Sequence, residues 1–186
     1  YLNILKHRLV LNMKLLHVVR HIIKRNVEKG LLPNFVDGIL DFDHLYNTVG
    51  INGVYETMKT FGYTDYNADL EKVFYKSEAY DFGYKIFELC HKTIEEFVED
   101  KDYKVNIEQV PGETAAVKFL SADKLIFPDK VVLDLPLYGN QWIPLGIPAS
   151  LKDRIDICSR FDNYCNGGSI CHINLDAPFS TEEQAW

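Results

Sequence analysis

Apolar residues recur at spacings of three and four between residues 3 and 29, through Ile4/Leu5, Leu9, Leu15/Leu16, Val18/Val19, Ile22/Ile23 and Val27. This period predicts one long helix. Lys24, Arg25 and Lys29 near its end suit the negative pole of the helix dipole, Gly30 fits the position just past the last turn, and Pro33 opposes resumption. The basic residues of "KHR" and "VVRHIIKR" read as its solvated face. A second helical period spans 66 to 99, with Asn67 or Asp69 as cap and Tyr75, Phe82, Ile86, Leu89, Cys90, Ile94 and Phe97 on the apolar face. Between them, 42 to 63 reads as a short strand, a turn bounded by Gly50 and Gly53, and a helix.

Residues 104 to 110 alternate as a strand, Pro111-Gly112-Glu113-Thr114 turns the chain, and a helix runs to about Asp123. Pro and Gly punctuate 130 to 146, which predicts extended segments and a loop. A helix follows over 147 to 165, starting near Pro148 or Ser150, and Gly167-Gly168 ends it. "SICHINLD" (169 to 176) alternates as a strand, and the closing "STEEQAW" reads as the capped first turn of another helix. Helices alternating with short strands predict an α/β fold, a sheet or barrel with helices packed outside.

Composition narrows the class. The chain has 186 residues, 47% of them hydrophobic and 25% charged, the profile of one soluble globular domain. A net charge of −7 argues against a nucleic-acid polymer as partner, because a phosphate backbone needs a basic face. A single nucleotide remains compatible, since one helix N-terminus and a cation or two can hold it. No apolar run approaches the ~18 residues of a membrane span. Four cysteines without a preceding signal peptide read as reduced thiols in a cytoplasmic protein. A start at Tyr1 and a stop one turn into a helix suggest an internal piece of a longer polypeptide.

The strand-to-helix turn at 110 to 116 is the first chemical candidate. A helix start leaves N–H groups unpartnered, and together with the dipole they attract an anion. Gly112, Ala115 and Ala116 carry almost no side chain, so a phosphate could approach the backbone. Thr114 can cap the helix or offer its hydroxyl, and Lys118 lies one turn further in. Small residues packed against a neighbouring strand explain the same pattern. Glu113 is favoured in a first turn by the dipole, and beside a substrate it could act as a general acid or base. Asn140 and Gln141, between Tyr138 and Trp142, could line a pocket or could satisfy loop backbone. The cysteines do not make a zinc site: Cys158, Cys165 and Cys171 lack close pairs, and Cys90 and His91 project about 100° apart on a helix. Cys90 reads as core and His91 as surface.

The stretches "NTVGINGVYETM", "EQVPGETAAVKF", "LYGNQWIPL" and "GGSICHINLD…FSTEEQAW" occur in this order. Together they resemble the anaerobic (class III) ribonucleoside-triphosphate reductases, which are glycyl-radical enzymes, over essentially the whole chain. The resemblance implies a portion of a ten-stranded α/β barrel, with long flanking helices, from a single catalytic domain. It implies radical reduction of ribonucleoside triphosphates, ATP and dNTP effectors, a structural zinc, a radical-SAM activating protein and a homodimer. It places Pro111, Gly112, Thr114, Ala115 and Ala116 at the substrate phosphates and makes Glu113 an active-site glutamate. Asn140 and Gln141 fall in a segment near the barrel interior. The family's thiyl cysteine, its glycyl-radical motif, its four-cysteine zinc site and its N-terminal regulatory region are all outside residues 1–186. The segment alone is therefore expected not to turn over and to bind no metal. Two alternatives stay open: another glycyl-radical enzyme of the pyruvate formate-lyase type, and a non-catalytic nucleotide-binding module.

Overall fold

The computed structural model describes residues 1–131 and 137–173. Helix α1 (Leu2–Glu28) leads through a short helix, α2 (Pro33–Val36), to strand β1 (Asn47–Gly50) and helix α3 (Val54–Thr60). Strands β2 (Thr64–Asn67) and β3 (Lys72–Tyr75) precede helix α4 (Ser77–Val98). Strand β4 (Val105–Glu108), helix α5 (Glu113–Ile126), helix α6 (Leu151–Phe161) and a 3-10 turn (Asp162–Tyr164) complete the order. Among the described residues the fold is mixed α/β with two small sheets, β1 parallel to β4 and β2 antiparallel to β3. No described helix is long and apolar enough to cross a membrane.

Helix α4 is the centre of the core. Its Ala79, Gly83, Ile86, Phe87, Cys90 and Ile94 are buried, and α1 packs along it through Leu9 and Met13. At the other side, Phe87 meets Trp142 edge-on at 5.8 Å and stacks on Tyr164 at 5.4 Å, with Phe161 closing the group. Burying aromatic rings in such offset and edge-on pairs removes large apolar areas from water.

Several expectations need correction. The predicted helix over 66 to 99 begins only at Ser77, with Lys76 rather than Asn67 or Asp69 at the N-cap. Residues 64 to 75 form the β2–β3 hairpin instead. The Asn67 side chain accepts the Leu70 N–H (3.0 Å), and Glu71 takes a left-handed φ of 45° to close the turn. Tyr75 faces the core from β3, so its fit to the helical period was coincidental; its hydroxyl donates to the Trp142 carbonyl. Pro33 starts α2 at a position where its missing N–H costs nothing. On α1, Ile4, Leu15, Val18, Val19 and Ile22 are exposed. Arg20, assigned to the solvated face, is buried: it donates to the Leu45 carbonyl (2.6 Å) and the Phe42 carbonyl (2.8 Å) and lies over the Tyr103 ring. His91 is half-buried, its Nε2 2.8 Å from the Tyr164 carbonyl.

Helix α5 runs three residues past Asp123 to Ile126, and α6 occupies only the middle of the predicted 147 to 165. Ser150 caps α6, its Oγ accepting the Asp153 N–H (3.1 Å). Residues 169 to 173 are not a strand. Gly168 makes one parallel bridge to Glu108, and beyond it side-chain amides replace the ladder. Gln109 Oε1 accepts the Ile170 N–H (2.6 Å) and Gln141 Oε1 the His172 N–H (3.0 Å). Residues 174–176 and the "STEEQAW" turn lie outside the described residues.

Candidate active site

Strand β4 alternates Val105 and Ile107 inward, and the same phase buries Gln109 before the chain turns at Val110-Pro111-Gly112. The Gly112 N–H donates to the Val110 carbonyl (2.8 Å), and α5 starts at Glu113 with Gly112 as N-cap. No side chain caps this helix, so Thr114 does not fill the capping role open to it in the sequence. Pro111, Thr114 and Ala115 are exposed, Gly112 is half-buried, and Ala116 is buried. The two alanines therefore divide: Ala116 packs inward, and Ala115 keeps the helix start uncovered. Lys118 is exposed on the following turn.

Glu113 is brought together with both amides of the 137 to 146 loop. Asn140 Nδ2 donates to Glu113 Oε1 (3.1 Å) and to the Val110 carbonyl (3.3 Å). Glu113, Asn140 and Gln141 line one cavity of about 220 Å³ with Gly139, Pro144 and His172. Pro111, Gly112, Thr114, Ala115 and Ala116 do not line it; they stand at the helix start beside it.

The loop that delivers these amides is irregular yet largely buried, which demands partners for its backbone groups. Arg154 donates to the carbonyls of Ile143 (2.8 Å) and Ile147 (2.7 Å), and Trp142 Nε1 donates to Asp162 Oδ1 (3.0 Å). The Tyr138 hydroxyl donates to Asp123 Oδ2 (2.7 Å) on α5; burial, with that carboxylate beside it, pushes the phenol up to about 12. On the α3 side, the Glu56 carboxylate Oε1 accepts the Gly139 N–H (2.8 Å). Burial raises the Glu56 carboxyl above its ordinary value, and its Oε2 has no hydrogen-bond partner among the described residues.

Glu56, Gln109, Gly139 and His172 escaped the sequence reasoning. Gln109 had a legible signal, a polar side chain on the inward phase of a strand. Glu56 had a weaker one, a carboxylate three residues after a glycine at a helix start. The described residues include no group of three or more His, Cys, Asp or Glu side chains able to hold a metal. Cys90, Cys158 and Cys165 are buried and Cys171 is exposed.

Chemically, a solvent-reachable carboxylate in the first turn of a helix, steadied by an amide donor, can exchange a proton with a bound group. The uncapped N–H groups beside it can receive an anion.

The family described as anaerobic ribonucleoside-triphosphate reductase matches residues 1–186. Among solved structures, an anaerobic ribonucleotide reductase is 34% identical, with a TM-score of 0.88, over 100% of this chain and 28% of that one. The Thermotoga maritima anaerobic ribonucleotide reductase with dATP bound in the specificity site is 34% identical, with a TM-score of 0.86, over 95% of this chain and 29% of that one. The same enzyme in complex with dATP and CTP gives 34% identity and a TM-score of 0.87 over 100% of this chain and 30% of that one. The comparison with curated proteins returned no match. The chain thus spans under a third of the length of the reductases it resembles, and over the whole of its own length it belongs to the anaerobic ribonucleoside-triphosphate reductase family.

Proposed function

We propose that residues 1–186 form part of the catalytic barrel domain of an anaerobic reductase that converts ribonucleoside triphosphates to deoxyribonucleotides in the cytoplasm. One observation carries the assignment of roles: Asn140 donates to Glu113 at the head of α5, on the wall of a cavity shared with Gln141 and His172. In this reading the uncapped start of α5, with Thr114 and Ala115 uncovered, Gly112 half-buried and Ala116 holding the helix in place, receives the substrate phosphates. Pro111 fixes the turn. Glu113 exchanges a proton with the substrate, and Asn140 and Gln141 shape the pocket.

The radical chemistry belongs to the rest of the polypeptide. Family membership implies a glycyl radical, a structural zinc, ATP and dNTP effectors, an activating protein and a homodimer. The cysteines described here do not fit the zinc, being three buried thiols and one exposed thiol without a cluster of ligands. This segment supplies binding and proton handling.

The test uses the full-length protein, prepared anaerobically and activated. Deoxyribonucleotide formation from ATP, CTP, GTP or UTP is expected. Glu113→Gln is expected to leave nucleotide affinity near that of the wild type and to lower turnover by roughly a hundredfold, the scale of a lost acid or base. An activated wild-type protein that ignores all four nucleotides would point to chemistry of the pyruvate formate-lyase type instead. Unchanged turnover in Glu113→Gln would remove that residue from the mechanism.

A further inference from the structure

The Asn140 amide that steadies Glu113 is itself fixed by its neighbour. Gly139 is held at both backbone groups by the first turn of α3. Its carbonyl accepts the Gly53 N–H (2.7 Å), and its N–H donates to Glu56 Oε1 (2.8 Å). Gly53 is the N-cap of α3 in a left-handed conformation, φ 75°, which places its N–H and the Glu56 side chain on the same approaching strip of backbone. Glu56 is only 3% exposed. Burying a carboxyl group is costly unless it is hydrogen-bonded, and the bond from the Gly139 N–H offsets part of that cost. The fit at Gly139 is close: a Cβ there would lie 3.3 Å from Glu56 Oε1 and 3.1 Å from Pro144 Cγ.

We infer that Glu56 is a positioning residue for the reaction. Through the Gly139 N–H it fixes the 139–140 backbone, and thereby the distance between the Asn140 amide and the Glu113 carboxylate. The relay runs Glu56 Oε1, Gly139 N–H, Asn140 Nδ2, Glu113 Oε1, and joins α3 to the head of α5 across the loop. It rests on the proposed reductase function for its catalytic meaning, while the clamp itself stands on geometry. Glu56 makes no hydrogen bond to Glu113 and does not line the cavity that Glu113 lines; it reaches that cavity through Gly139, which does.

Three variants of the full-length chain test this. Glu56→Ala removes the acceptor and strands the Gly139 N–H. Glu56→Gln keeps an acceptor oxygen in the same place. Gly139→Ala keeps the Glu56 side chain but crowds its contact with the loop, because the new methyl meets Glu56 Oε1 and Pro144. Glu56→Ala and Gly139→Ala are each expected to lower kcat by roughly tenfold to a hundredfold, the scale of a misplaced reacting group. KM for the ribonucleoside triphosphate should stay within about twofold, since the lost interaction acts after binding. Glu56→Gln is expected to restore most of kcat.

Hydrogen exchange of the peptide covering 138 to 142, read by mass spectrometry, should quicken in Glu56→Ala and return in Glu56→Gln. That readout requires no turnover. A wild-type enzyme that reduces no nucleotide defeats the functional reading, while unaltered exchange in Glu56→Ala defeats the clamp. Full kcat per folded molecule in Glu56→Ala, with only a lowered melting temperature, shows a merely structural residue and overturns the inference. Should Glu56→Ala fail to fold, Gly139→Ala decides: unchanged kcat and exchange overturn the inference equally.

Discussion

Phe161 lies so close to Gly83 that a methyl group on the glycine would sit 2.5 Å from the ring's Cε1 and 3.0 Å from Cζ. Gly83 is in the middle of α4, where glycine costs about 1 kcal/mol relative to alanine in helix propensity. Contact with a fully buried ring explains its presence there. Gly83→Ala is therefore expected to destabilise the protein by about 1–3 kcal/mol through overpacking, despite its better propensity. Chemical denaturation of the full-length chain measures this; a gain in stability would mean that the ring can retreat.

Much of the architecture could be read in the hydrophobic pattern, and its failures share a cause. Where an element is long and one face is buried, as in α4, periodicity located it. The β2–β3 hairpin was lost because four-residue strands flanking Ala68–Glu71 carry too few alternations to outweigh Tyr75, which fits both periods. Arg20 was misplaced because sequence cannot reveal that two carbonyls and two rings wait for a guanidinium. The extended run after Gly168 had the right residues for a strand, but two glutamine side chains took the bonds a neighbouring strand would have made. Glu113 and Asn140 were both singled out in the sequence as candidates. Their contact across 27 residues, and the bond between Glu56 and Gly139, are set by tertiary packing alone.

The Glu56 carboxyl carries a pH signature. Burial raises its folded value above the ordinary 4.5. A group of this kind holds its proton more tightly folded than unfolded. Its stabilising contribution is complete below the unfolded value and is lost as pH climbs through the raised folded value. Wild-type stability should therefore fall relative to Glu56→Gln as pH rises across that window. Melting temperatures of the two full-length proteins over a pH series check it, and parallel curves would mean that the carboxyl titrates normally.

The thiols should divide by accessibility. Burial pushes Cys90 up to about 11 and Cys165 up to about 12, so neither forms appreciable thiolate near neutrality. Cys158 is likewise buried and raised to about 12, whereas Cys171 is exposed. Alkylation of the native full-length chain at pH 8, followed by peptide mapping, is expected to label Cys171 first and the other three only on unfolding. Labelling of Cys90 at a similar rate would show that the α4 core opens readily.

The parallel pairing of β1 with β4 sets an order of events in folding. Asn47 pairs with Val105 across the hairpin and α4 that lie between them in the chain. The bonds that shape the site are equally distant along the chain: Glu56 to Gly139 spans 83 residues, and Gln109 to Ile170 spans 61. Non-local contacts of this kind require loop closure before they return any energy, so they form slowly. The α4 helix can form from local contacts early, whereas the Glu113 cavity comes together late. Mild destabilisation along these connections is therefore expected to open this cavity while most of the helical signal persists.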